Sequence, residues 1–170
     1  MISYEKIVDE INSVEYTANI KSIVNLISTS KTIFTLGNGR SGLISKAFAN
    51  RLLHLGFNSH SIGEITCPKV KENDLLVVCS KTLNNDNIIN NIKQAKNYNA
   101  KVLIITSDGY KKACKYADEV VYVNCSNTSQ PMGTLFEQSS LIMLDSLVLD
   151  IMNYKKYNNS VLSNNHANIE

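Results

Sequence analysis

Two segments of the chain carry residues arranged to hold an anion. Gly37-Asn38-Gly39-Arg40-Ser41-Gly42 fits G-x-G-x-x-G directly behind the β-branched and aromatic run Thr32 to Leu36. In that pattern a tight turn lets a helix amino terminus present its free N–H groups to a phosphate. Arg40 and Ser41 add a cation and a hydroxyl in the first helical turn, which suits a compact phosphosugar. The usual reading of the motif is a dinucleotide fingerprint, and Glu64, at the end of the next strand, stands near where the ribose-binding acid would be expected. A purely structural tight turn is the third reading. The motif states a phosphate at a helix amino terminus more firmly than it states a nicotinamide.

The second segment, Ser80-Lys81-Thr82-Leu83-Asn84-Asn85, follows the run Asp74 to Cys79. It offers hydroxyls at Ser80 and Thr82, a mobile cation at Lys81, and a cap for the following helix at Asn84 or Asn85. Elsewhere, His54 supplies a group whose unperturbed pKa, about 6.5, suits proton transfer. Arg51 lies one turn before it on the same helical face, able to hold a carboxylate or to pair between subunits. Arg40 and Arg51 are the only arginines in the chain. His60 has no supporting neighbours and reads as incidental.

The elements that must position these residues follow from hydrophobic periodicity. Apolar spacings of three and four from Tyr4 to Ser28 predict one or two amphipathic helices. Thr32 to Leu36 predicts a buried strand, and Ser41 to Leu55 a helix with one broad apolar face that ends at Gly56. Phe57 to Ile62, Asp74 to Cys79, Lys101 to Thr106 and Glu119 to Val123 predict four further strands; Asn87 to Tyr98 and Tyr110 to Ala117 predict intervening helices. A last helix from Thr134 to Met152 closes the core. Strands alternating with helices predict an α/β three-layer sandwich, Rossmann-like, with a five-stranded parallel sheet. One domain spans residues 1–170, with a helical segment at 1–29 and a polar, loosely held tail at 154–170.

The bulk composition narrows the function classes. The chain has 170 residues, 44% apolar and 19% charged, enough for one full core. A net charge of +2 gives no general field for nucleic acid or an anionic membrane, so neither is an expected partner. No apolar run approaches the roughly 20 residues of a membrane span. Met1 to Glu15 carries four acidic residues and no apolar stretch of the signal-peptide kind, which makes the cytoplasm the expected compartment. The four cysteines, Cys67, Cys79, Cys114 and Cys125, lack zinc-site spacing and read as reduced thiols on or near strands.

Several segments together, in order over almost the whole chain, resemble the 6-phospho-3-hexuloisomerase family of SIS (sugar isomerase) domains. They are the glycine loop, Arg51-Leu52-Leu53-His54-Leu55-Gly56, Ile62-Gly63-Glu64, Gln130-Pro131-Met132-Gly133-Thr134-Leu135-Phe136-Glu137 and the ending His166-Ala167-Asn168-Ile169-Glu170. The resemblance implies a SIS-type fold, a homotetramer, no metal and no cofactor. It implies interconversion of a 3-hexulose 6-phosphate with fructose 6-phosphate through an enediol. Such chemistry needs a base, a donor to the developing oxyanion and a phosphate grip. On the same resemblance Glu137 is the base and His54 its acid–base partner. Gly39, Arg40, Ser41, Arg51, Glu64, Ser80, Lys81, Thr82, Asn85 and His166 are the expected substrate-binding residues, and the match of the ending implies that His166 docks near a neighbouring subunit's site.

The chain departs from the family pattern at Ser80 to Asn85, where the family has a sequence close to Ser-Gly-Ser-Gly-Glu-Thr. A leucine replacing a glycine of positive φ is penalised by its Cβ, by about 1–2 kcal/mol. Three readings therefore stand: an isomerase of this or another phosphosugar, a non-catalytic phosphosugar-binding module, and a nicotinamide-dependent oxidoreductase, for which the chain leaves no room for a separate substrate domain.

Overall fold

The computed structural model describes residues 3–169; Met1, Ile2 and Glu170, the last residue of the terminal motif, lie outside them. The chain begins with helix α1 (Ser3–Asn12), strand β1 (Glu15–Thr17) and helix α2 (Ile20–Thr29). The alternating unit follows as β2 (Ile33–Gly37), α3 (Gly39–His54), β3 (Ser59–Ser61), β4 (Leu75–Cys79), α4 (Asp86–Asn97), β5 (Lys101–Thr106), α5 (Tyr110–Ala113) and β6 (Glu119–Asn124). Helices α6 (Thr134–Lys155) and α7 (Asn159–Asn164) complete it.

The sheet has the order β1-β6-β5-β4-β2-β3, and every pair except β1–β6 is parallel. The expected five parallel strands are therefore present, joined by a sixth that the periodicity reads as helix. Strand β1 breaks the amphipathic stretch at Glu-Tyr-Thr and pairs antiparallel with β6, Tyr16 opposite Val123. Only a tertiary partner makes three residues a strand, and here the pairing covers the edge of β6. Asn19 then caps α2 by accepting from the Ser22 N–H at 3.2 Å.

Alternation along the strands divides the interior into two layers. On one face Ile33, Leu75, Val77, Cys79, Leu103 and Ile105 pack against α2, α3 and α6. On the other, Phe34, Leu36, Leu76, Val78, Val102 and Ile104 pack against α4 and the short α5. Burial of both faces explains why these strands read as unbroken apolar runs.

The tail, expected from its polarity to be loosely held, is partly built. Helix α6 runs on to Lys155, Lys156 turns the chain at φ 56°, and α7 returns over the end of α3. There Asn165 Nδ2 donates to the His54 carbonyl at 3.1 Å, and the His166 ring stacks on His54 with centroids 4.8 Å apart. Polar tails hold when their few hydrogen bonds reach a fixed partner, which composition does not reveal.

No described helix is long and apolar enough to cross a membrane. All four cysteines are free thiols, and burial pushes Cys79 up to about 12 and Cys125 up to about 11. Cys114 is the exposed one. A thiol reagent at pH 8 should therefore label Cys114 first and reach Cys79 and Cys125 only on unfolding, as peptide mapping of partially alkylated protein would read. Early modification of Cys79 would mean that the strand layer opens.

Candidate active site

The sheet order reverses direction between β2 and β4: from β2 the chain moves outward to β3, then back across to β4. Connections after these two strands diverge to opposite faces, and the resulting crevice lies beyond their carboxyl ends. The loops at that crevice are the two that the sequence singles out. Asn38, Ser41, Cys79, Ser80, Thr82, Asn84, Asn85 and Ile88 line an open cleft of about 300 Å³ there.

The glycines of the first loop divide their tasks. A Cβ on Gly37 would lie 2.7 Å from the Ser41 carbonyl, and one on Gly42 would lie 2.7 Å from the Gly37 oxygen. These two residues let α3 press against β2. Ser45 Oγ fastens the same junction, donating to Ser41 O at 2.9 Å. Gly39 is different: it takes φ 57° with open space around it, so its part is the turn itself. Asn38, the residue before α3, makes no side-chain cap, which leaves the first-turn N–H groups of that helix to a ligand.

The second loop is built in another way. Leu83 takes the left-handed conformation, φ 52°, and is fully buried among Phe34, Leu36, Ile88 and Ala113. The strain of about 1–2 kcal/mol is offset by the roughly 1.5–3 kcal/mol of a buried leucine. Its neighbours fix it further: Ser80 Oγ accepts from the Leu83 N–H at 3.3 Å, and Lys112 Nζ donates to the Leu83 carbonyl at 2.7 Å. Asn85, not Asn84, caps α4 by accepting from the Ile88 N–H at 3.2 Å. A hydrophobic anchor thus replaces glycine freedom in holding Thr82 and Asn84 at the cleft.

This predicts an inversion of the usual size rule. Leu83→Ala should destabilise by about 2–5 kcal/mol, and Leu83→Gly should be the more stable of the two variants by about 1–2 kcal/mol because it alone relieves the left-handed strain. Urea unfolding of both compares them; an alanine variant more stable than the glycine one would remove the strain from Leu83.

Beside the cleft stands the expected base. Glu137 lies in the first turn of α6, where the helix dipole favours a carboxylate, and its N–H bonds to the Gly133 carbonyl at 3.0 Å. Its side chain is 15% exposed and ion-paired with Arg40, 64% exposed, from the glycine loop. The pair contributes little to stability at such exposure, about 0–1 kcal/mol, but it fixes where the carboxylate points. Lys81 faces the same wall rather than the cleft. Its Nζ lies 3.5 Å from Asp108 Oδ2, and a Cβ added to Gly133 would meet both its stem, at 3.7 Å, and Glu137 Oε1, at 3.8 Å.

The remaining expected residues fall elsewhere. Glu64 closes the turn after β3, where its Oε2 accepts from the Ser61 N–H at 3.4 Å. Arg51, His54 and His166 gather at the far end of α3 with Leu162 and Asn168, lining a separate opening of about 450 Å³. Arg51 approaches Asp145 at 3.9 Å. Arg40 and His54 are fourteen positions apart on one continuous helix, roughly 21 Å of rise, so Glu137, paired with Arg40, and His54 of one chain do not meet.

The cleft also uses residues that the sequence reading passed over. Asn38 sits inside the quoted motif, and its place just before the helix was the available signal. Cys79 forms the floor because a strand's last residue faces the crevice. Among the described residues no group of three or more His, Cys, Asp or Glu is placed to hold a metal.

The order of these parts along the chain decides its family, because the SIS domain pattern matches residues 26–149, from α2 through both cleft loops into α6. This chain belongs to the SIS domain family. The 6-phospho-3-hexuloisomerase resemblance is borne out as well. A 3-hexulose-6-phosphate isomerase of Bacillus subtilis is 35% identical, with 94% of this chain and 92% of the relative covered. The one from Methylomonas aminofaciens is 30% identical over 87% of this chain and 86% of its own. A Methanococcus jannaschii crystal structure, reported to infer a molecular function of 3-hexulose-6-phosphate isomerase, superposes at a TM-score of 0.85. It is 29% identical and covers 99% of both chains. The match thus spans both cleft loops and most of α6.

Proposed function

We propose that the protein is a sugar-phosphate isomerase that interconverts a 3-hexulose 6-phosphate and fructose 6-phosphate. The observation that carries this reading is the half-buried Glu137 carboxylate held by Arg40 at the rim of a cleft lined by hydroxyls and amides. The first turn of α3, with Ser41, Ser80 and Thr82, grips the phosphate. Glu137 takes the proton from C2 of the 3-ketose while the C3 carbonyl oxygen gains one, giving the 2,3-enediol. Return of the carbon-bound proton to C3 and loss of the C2 hydroxyl proton complete the 2-ketose, with no net change in atoms or electrons.

The oxygen-to-oxygen proton requires a second acid–base group, and His54 is offered by a neighbouring copy rather than by the same chain. The outward sides of α3 and α6 support such association, for they leave Leu43, Leu53, Leu141, Ile142 and Leu149 exposed on two helices that pack together. We read the assembly as the homotetramer of the family, working in the cytoplasm with its thiols reduced. In it the His54–His166 end of one subunit faces the Glu137 end of another.

The test is to incubate purified protein with fructose 6-phosphate in D₂O and follow deuterium at C2 and C3 and the appearance of the 3-ketose by NMR. Turnover supports the isomerase. A thermal shift with fructose 6-phosphate and no exchange would instead support the phosphosugar-binding module, which the glycine-free second loop favours.

A further inference from the structure

Glu10, on the outer helix α1, is remote from the cleft, yet one carboxylate there gathers four hydrogen bonds from three consecutive residues. Its Oε2 accepts from the Thr128 hydroxyl at 2.7 Å and from Gln130 Nε2 at 3.0 Å. Its Oε1 accepts from the Ser129 hydroxyl at 2.6 Å and from the Ser129 N–H at 2.9 Å. The bonded residues belong to the connection between β6 and α6. From them the chain passes through Pro131, through Met132, exposed and left-handed at φ 57°, and through Gly133 into the helix turn that bears Glu137. A non-glycine residue keeps such a conformation only when both flanks are held. One flank is α6. The other is Glu10.

We propose that Glu10 is a positioning residue for the isomerase, clamping residues 128–130 so that Met132 and Gly133 set Glu137 against Arg40 at the mouth of the cleft. The inference rests on the reading of Glu137 as the base. The four donors, the Ser129 hydroxyl foremost, hold the Glu10 carboxyl well below its usual 4.5, at about 2. A carboxyl with a depressed folded pKa gives its stabilisation in full above the unfolded value and loses it as pH falls toward the folded one. The clamp is accordingly complete above about pH 4.5 and loosens toward about pH 2. Among the described residues, the ionised carboxylate has these four donors as its hydrogen-bond partners and no salt bridge to a cation.

The test compares Glu10→Ala, Glu10→Gln and, as a control on the same helix, Asp9→Ala. The full chain is measured by steady-state kinetics, by amide hydrogen exchange over residues 126–137 and by thermal unfolding. Glu10→Ala should lower kcat by roughly ten- to a hundredfold with KM changed by less than about threefold, because a small misplacement of a catalytic group is felt in turnover more than in binding. Exchange should speed up at residues 128–130 and at the Glu137 amide, while Asp9→Ala leaves all three readings unchanged. Glu10→Gln, which keeps one acceptor oxygen for Ser129, should recover part of the lost kcat. Unchanged exchange in Glu10→Ala overturns the clamp. Faster exchange with unchanged kcat, or a lowered Tm alone, overturns the positioning role and leaves only a structural one. Should wild-type protein show no turnover, the functional reading fails by itself, and the Glu137 amide still decides the clamp: faster exchange in Glu10→Ala supports it, equal exchange overturns it. If the alanine variant does not fold, the glutamine variant makes the same comparisons.

Discussion

Replacing Glu137 by glutamine is expected to lower kcat for ketose 6-phosphate interconversion by about 10²–10⁴-fold, the range that a general base supplies. Glutamine keeps the size of the side chain and an oxygen that can still accept from Arg40, so the wall of the cleft should survive the change. Fructose 6-phosphate should therefore bind with little change, since the phosphate grip proposed above draws on the first turn of α3 with Ser41, Ser80 and Thr82 and not on Glu137. Calorimetric titration beside the NMR exchange assay separates the two effects. Undiminished turnover would remove Glu137 from the mechanism. Loss of binding together with turnover would make the residue a support of the cleft instead of its base.

A mixture of two inactive subunits is expected to regain activity. In one chain Glu137 and His54 stand at opposite ends of α3, so a substrate that needs both must take them from two chains. His54→Asn retains Glu137, and Glu137→Gln retains His54. Co-expressed and randomly assembled, a site drawing one group from each chain is intact when both wild-type residues coincide, one half times one half, or roughly a quarter of the sites in a symmetric assembly. Each variant alone should be close to inactive. Activity of the purified mixture against the two separate preparations is the measurement. A mixture as inactive as its components would end the shared-site reading, and residual full activity of His54→Asn would assign the second proton to another group.

Much of the architecture was legible because it rests on local chemistry. Val77 and its neighbours in β4 form an unbroken apolar run between polar residues, which only a strand covered on both faces tolerates. The glycine loop announced its turn by spacing, and the structure shows why each glycine is there: two for close packing, one for a positive φ. The penalty expected for a leucine in the second loop is also present, at Leu83. What the sequence did not disclose is the repayment, since Leu83 joins one buried cluster with Phe34, Ile88 and Ala113 from three separate elements.

Other features had no local signal at all. Strand β1 is three residues long and exists through its pairing with β6. The tail looked solvated because its residues are polar, and it docks because Asn165 and His166 meet the end of α3. Lys81 reads as a phosphate ligand from its position in the loop, yet its stem runs over Gly133 to Asp108. Glu10 and Ser129 are 119 positions apart, and no periodicity connects them.

The sequence by itself determined which residues have the chemistry and which strand ends carry them, because turn geometry, helix caps and apolar patterning act over a few neighbouring residues. The tertiary structure alone decided which of those residues share a cleft. It joined Arg40 to Glu137 and separated both from His54, because the direction of a helix and the order of strands in a sheet set distances that spacing along the chain does not encode.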